Sequence, residues 1–315
     1  ASCLVGSEMC IRDRWDIADG DIIVEAGDEG TNRVTQGKTI EQEDRDTVIT
    51  GKSEEHTVTI DTSGGNVDVT FDDLKIDVSG KTEVDGSGKT EGNVSDETEG
   101  DVSGDSPVDA GKAAVTVQGD HDAAIELDGA NELKSGSHNA GLEKNDERSE
   151  DGKTVSGTLT IKDDNDTKGS LTAEGGAGGG AGIGGGAEKT GSSITIQGGA
   201  VKAVGGSNAA GIGDGAGALS ELDTDTPPSN PNHIIICGDA EVTAKAGSQI
   251  KPVEVPAIGG SYGEVPTEAL SDEEHKVTGG RLTRLNADGT VMEGMGYDYT
   301  SVPTPQPDDE DDDDD

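Results

Sequence analysis

Aromatic side chains are almost missing: one Phe, one Trp and three Tyr make up 2% of the 315 residues. A conventional two-layer core, which leans on Phe, Tyr and Trp beside Leu and Ile, is therefore excluded. Hydrophobic residues of every kind reach only 29%. The chain must be either largely disordered or built on a thin core of small β-branched side chains. Basic residues are scarce as well: 23 Lys and Arg stand against 66 Asp and Glu, a net charge of −43. Low hydrophobicity with high net charge is a disorder composition, so periodicity has to decide. The acid excess argues against nucleic acid as a partner, because phosphate neutralisation needs clustered Lys and Arg. It argues equally against an anionic membrane surface. There is no run of about 20 apolar residues to make a membrane span, and no leader segment is visible.

Cysteine is nearly absent too. Two of the three, Cys3 and Cys10, lie in Ala1–Arg14, a stretch that resembles translated sequencing-adapter read-through and is set aside as an artefact. The absence of a leader then carries no weight. Cys237, flanked by Ile236 and Gly238, reads as a small buried hydrophobe. Neither a disulfide framework nor a Cys/His zinc spacing remains.

What is abundant is glycine, 50 residues, interleaved with short strand-like words. Period-two alternation runs through His56–Asp61, Asn66–Phe71 and Leu74–Val78, after an irregular lead-in from Trp15. Residues 79–109 are acidic and low in complexity and read as a solvated insertion. Their Gly-Ser-Gly-Lys-Thr word lacks the first glycine of a phosphate loop, since Glu83 stands there.

From about 113 to 264 a theme recurs four times: two short apolar-alternating strands, then a Gly-rich corner with one aliphatic residue. The corners are Ala140-Gly141-Leu142, Ala181-Gly182-Ile183-Gly184, Ala210-Gly211-Ile212-Gly213 and Ala257-Ile258-Gly259, and the middle two start 29 residues apart. A repeat of this length marks a solenoid. Inward Val, Ile, Leu and Ala suffice for such a core, and glycines supply its tight corners. The expected fold is all-β, a single-stranded parallel β-helix over residues 15–300. Residues 218–232 would leave it as an insertion, Asn286–Gly289 would turn inside a terminal cap, and 301–315 would form a Pro-rich acidic tail.

These words, with Gly-Thr-Leu-Thr-Ile-Lys-Asp at 157–163 and Ser-Ile-Thr-Ile-Gln-Gly-Gly at 193–199, resemble the Gly-rich repeat regions of large surface proteins from gut and rumen Firmicutes. The resemblance covers about 20–265. It implies a right-handed parallel β-helix, export, and an extracellular or cell-wall-associated location. The Gly run after Ile183 is interrupted after Ile212 by Asp214, a departure from the pattern. Pectate-lyase-like and carbohydrate-binding β-helices share the architecture, at the level of fold alone.

Three chemistries compete. A non-catalytic surface or adhesion module would present its sheet to a polysaccharide or cell-wall glycan, and Tyr262, Tyr297 and Tyr299 are its candidate stacking platforms. A polysaccharide lyase or glycoside hydrolase would need converging carboxylates. Asp72-Asp73 are adjacent and would point apart in a strand, and Asp214 has no acidic neighbour in sequence. His56, His121, His138, His233 and His275 are scattered. Calcium is the one cofactor candidate. Counting from Asp164, the stretch Asp163, Asp164 and Asp166 has acids at positions one and three of a calcium loop and Gly169 at six, but Gly175 stands where the bidentate acid belongs. Thr57/Thr59 and Thr158/Thr160 are too few for an ice-binding face, and β-propensity accounts for them. The composition favours the non-catalytic module.

Overall fold

The computed structural model describes residues 14–80, 111–146, 156–218, 234–248, 255–259, 275–292 and 297–298, apart from Asp166, Ser192 and Thr278. These residues form two sheets, of thirteen and nine strands, with two single-turn 3-10 segments at Ile17–Asp19 and Asp28–Gly30. The expected insertion at 79–109 and tail at 301–315 lie almost wholly outside them.

The smaller sheet stacks one short aliphatic word on the next. Ile22–Ala26, Val58–Asp61, Val115–Gln118, Leu142–Glu143, Ile183–Gly184, Ile212–Gly213 and Ile258–Gly259 pair in parallel, in that order. Their register puts Ile22, Val58, Val115, Leu142, Ile183, Ile212 and Ile258 in one column, and each is at most 1% exposed. Ile183 and Ile212, the aliphatic residues of the two matching words, thus share one buried row. The Gly-rich words are more than corners, however: each is a two-residue strand of this second sheet.

The larger sheet is parallel as well, except at its end. Arg14–Asp16, Val48–Ser53, Val67–Asp77 and Ala123–Lys134 lie side by side. The long strand Ala123–Lys134 then heads two tracks. Its first half pairs with Leu159–Lys162, which is followed by Ile194–Ile196, Ile234–Ile236 and His275–Val277. Its second half pairs with Gly169–Glu174, followed by Ala200–Val204, Glu241–Lys245 and Arg281–Leu285. Tyr297–Asp298 closes the second track antiparallel. From Ala123 onward the chain alternates between the sheets, and every pass lies in register on the one before.

Alternation along each strand decides what is buried. Ile125, Ile161, Ile196 and Ile236 align on the first track, and Leu171, Val201, Val242 and Leu282 on the second, all 2% exposed or less. Fully burying such a side chain is worth about 1.5–3 kcal/mol, so stacked columns hold the fold without rings. The chain's one Trp and one Phe sit together in the N-terminal passes, where Trp15, Ile49, Phe71 and Leu127 form one column. There the region read as an irregular lead-in is regular strand, with Asn32–Gln36 and Thr39–Asp44 adding an antiparallel meander to the smaller sheet.

Glycine is required where stacked words touch. Gly184 has φ +131°, and a Cβ there would lie 2.0 Å from the Gly213 carbonyl oxygen; Gly213, at φ +125°, would meet the Gly259 oxygen at 2.4 Å. Both backbone conformation and spacing rule out a side chain.

Candidate functional site

The outward residues of the larger sheet are fixed by the register that buries the others. One outward column reads Lys52, Lys75, Glu132, Thr172, Lys202, Thr243, Thr283. The next, two residues along each strand, reads Asp77, Lys134, Glu174, Val204, Lys245, Leu285. Lys75 Nζ donates to Glu132 Oε1 at 2.7 Å, and this contact holds the Glu132 carboxyl below its ordinary range. Lys134 lies 3.9 Å from Glu174. A groove of about 490 Å³ opens here, lined by Lys52, Lys75, Lys134, Glu132 and Asp77, with Glu54 and Glu55.

A denser cluster lies where Leu159–Lys162 turns into Gly169–Glu174. Glu126, 8% exposed, accepts from the backbone N–H of Asp164 at 3.0 Å and of Asn165 at 3.3 Å through Oε1. Its Oε2 is buried without a hydrogen bond and lies 3.6 Å from Lys162 Nζ. Asn165 Nδ2 donates to Asp128 Oδ1 at 2.6 Å. Burial, and then the neighbouring Asp164 carboxyl, push Glu126 above its ordinary value; the hydrogen bond with Glu126 holds Asp164 below its own. One acid is thus kept protonated longer and the other ionised earlier. A second groove, of about 540 Å³, lies beside this turn, lined by Asp163, Lys168, Ser170, Asp239 and Glu241 among others.

The candidate calcium residues sit here in part. Asp163 and Asp164 open the turn, and Asp163 Oδ1 is buried without a hydrogen bond. Asp166 lies outside the described residues. Lys162 reaches both Glu126 and Asp164, placing a cation where calcium ligands would converge. Among the described residues, no group of three or more His, Cys, Asp or Glu side chains is arranged to hold a metal ion.

No protein-family model, curated protein or solved structure matches this chain. Its site is therefore read from its own geometry.

Of the three candidate tyrosine platforms, one falls among the described residues. Tyr297 lies in the closing strand opposite Leu282, and Tyr262 and Tyr299 fall outside the description. Asp73 adopts φ +51° at a bulge facing Gly129, and its Oδ1 accepts from the Ala130 N–H at 2.9 Å. Asp72 takes Arg14 instead. The adjacent pair thus parts into two structural contacts. Asp214 is 7% exposed and accepts from the Gly191 N–H. Cys237 is a free thiol of intermediate exposure, its pKa raised by partial burial. Sequence reading missed Glu126, Asp128 and the lysine columns. Their signal was a polar residue at outward strand positions, legible only once the strands are aligned. No helix among the described residues is long and apolar enough to cross a membrane.

Proposed function

We propose that the chain is a right-handed parallel β-solenoid serving as a non-catalytic surface or adhesion module, extracellular or cell-wall associated, that holds a glycan along the outer face of its larger sheet. The observation that carries this reading is the unbroken outward column from Lys52 to Thr283. Seven in-register strands present ammonium, carboxylate and hydroxyl groups at the ~4.8 Å strand spacing, a row of hydrogen-bonding groups suited to an extended polymer. The words resembling Gly-rich repeat regions of Firmicutes surface proteins support the same location and architecture. A glycan array probed with and without calcium tests it. Retention on at least one polysaccharide is expected, and failure to retain any would overturn the reading. A loss on chelation would add calcium as a bridging cofactor.

One observation favours a second reading, a polysaccharide lyase or glycoside hydrolase. Glu126 and Asp164 are driven apart in acidity beside Lys162, the arrangement by which two carboxyls divide acid and base roles. Against it, Glu126 Oε1 is already committed to two backbone N–H groups of the turn. Release of reducing ends or unsaturated sugars by the wild type, abolished in Glu126→Gln, would establish catalysis; its absence across a broad polysaccharide panel removes this reading.

A further inference from the structure

The charge of the outward columns differs from that of the chain. Across the whole sequence acids outnumber bases by 66 to 23. In these two columns five lysines (Lys52, Lys75, Lys134, Lys202 and Lys245) face three carboxylates, Asp77, Glu132 and Glu174, a local excess of two positive charges. Two of the carboxylates are taken up in ion pairs, Glu132 by Lys75 and Glu174 by Lys134. Lys52 lies by Glu54 and Glu55 in the first groove, so that end is electrically mixed.

The other end is different. Lys202 and Lys245 stand on adjacent strands, offset by two residues, because Lys202 pairs with Thr243 and Val204 with Lys245. Such diagonal neighbours are about 7–8 Å apart. Around them the outward positions are Thr172, Thr243 and Thr283, with Glu174, Val204 and Leu285 beside them in the second column. Neither lysine makes an ion pair among the described residues. The nearest acids are matched by further cations or share Lys245: Glu174, diagonal to Lys202, lies 3.9 Å from Lys134, Glu241 is in register with Arg281, and Asp288, which accepts from Thr290, also feels the Lys245 charge. At physiological salt, charges more than about 8 Å away are screened. The local lysines, not the net −43, therefore set the field that a bound polymer meets.

We propose that the Lys202–Lys245 face binds an anionic linear polysaccharide, with successive acidic groups taken by the two ammonium groups and sugar hydroxyls by Thr172, Thr243 and Thr283. This rests on the glycan-binding reading above and narrows its ligand to carboxylated or sulfated polymers. Two ammonium groups and three hydroxyls on flat parallel backbone suit a chain lying along the stack of strands. Each charge contact is of the exposed, rim type, so it contributes selectivity and salt dependence more than raw affinity.

The test titrates the full chain with polygalacturonate, dextran sulfate and unsubstituted xylan at 0.15 M salt, using wild type and the double variant Lys202→Glu/Lys245→Glu. Both positions face outward, and far-UV circular dichroism with a urea midpoint checks that the variant folds. The expected result is binding of at least one acidic polymer over xylan, weakened roughly fivefold or more in the variant and by added salt. Preference for polygalacturonate or for dextran sulfate assigns carboxylate or sulfate. Binding of xylan with no acidic polymer bound overturns this inference and leaves the glycan reading standing. Equal binding by wild type and variant also overturns it. Binding to no polymer here or on the array overturns both.

Discussion

Replacing Gly184 by alanine isolates the contact on which the stacking depends. The new Cβ would lie 2.0 Å from the Gly213 carbonyl oxygen, a backbone atom that cannot swing aside. An L-residue held at φ +131° costs on the order of 1–3 kcal/mol by itself. Relieving the collision requires the Ile183–Gly184 and Ile212–Gly213 words to part. That strains the hydrogen bonds from Ile183 N–H to Gly211 O at 3.0 Å and from Gly185 N–H to Gly213 O at 2.8 Å, each worth a net 0.5–1.5 kcal/mol or so. The sum is about 2–6 kcal/mol. Gly217→Ala is the control, because Gly217 also has positive φ, +73°, while its nearest neighbour is Glu188 Cγ at an ordinary 3.6 Å. It should cost about 1 kcal/mol, from conformation alone. Urea unfolding followed by far-UV circular dichroism, on both variants and wild type, measures the difference. If Gly184→Ala costs no more than Gly217→Ala, the words do not stack as closely as described and the argument from glycine fails.

Two further outcomes follow from buried polar contacts. Trp15 Nε1 donates to Asp44 Oδ2 at 2.8 Å, with the two residues 8% and 5% exposed; Asp44→Ala orphans that donor and should cost about 1–3 kcal/mol, read from the emission of the chain's one Trp, and an unchanged midpoint would refute the contact. Glu143 is 8% exposed, and burial raises its pKa, so the folded chain binds its proton more tightly than the unfolded chain. Its contribution is fully present below the ordinary Glu value and is lost as pH rises through the folded value. Wild-type stability relative to Glu143→Gln should therefore fall as pH rises above the ordinary Glu value, and a parallel pH dependence of the two urea midpoints would remove the effect.

The sequence made the strands legible because their signal is local. Leu159-Thr160-Ile161 and Ala200-Val201-Lys202-Ala203 alternate at period two, and each inward residue is buried. The row joining Ile183 to Ile212 was legible for the same reason, since both carry the same four-residue word. What stayed hidden depends on which strands become neighbours. Lys202 and Lys245 are 43 positions apart in sequence, yet sit on adjacent strands through a register that only the assembled sheet displays. Glu126 and Asp164 meet across 38 positions. Asn131 is a sharper case. It occupies an inward position opposite Leu171 and is 1% exposed. It survives there by accepting from the Leu74 N–H and donating to the Asp128 and Ser170 carbonyls. No alternation rule places an amide in an aliphatic column. Partners supplied by three different strands do.

Glu143 shows how one word can depart from the pattern and keep its geometry. In the next two words the alanine N–H closes a tight turn on a backbone carbonyl, Ala181 to Gly185 and Ala210 to Asp214. Those turns pass through Gly184 and Gly213 at strongly positive φ. Glu143 occupies the aligned position, and a side chain there makes positive φ expensive. The backbone does not enter that region at Glu143, and the Ala140 N–H is met instead by the Glu143 carboxylate, Oε2 at 3.0 Å. Asn145 steadies the other oxygen at 3.0 Å and uses its own carbonyl to accept from the Gly186 N–H of the following word. The side chain thus supplies the acceptor that the strained backbone supplies elsewhere. The cost of this exchange is a buried carboxylate, which is why its pKa shifts upward.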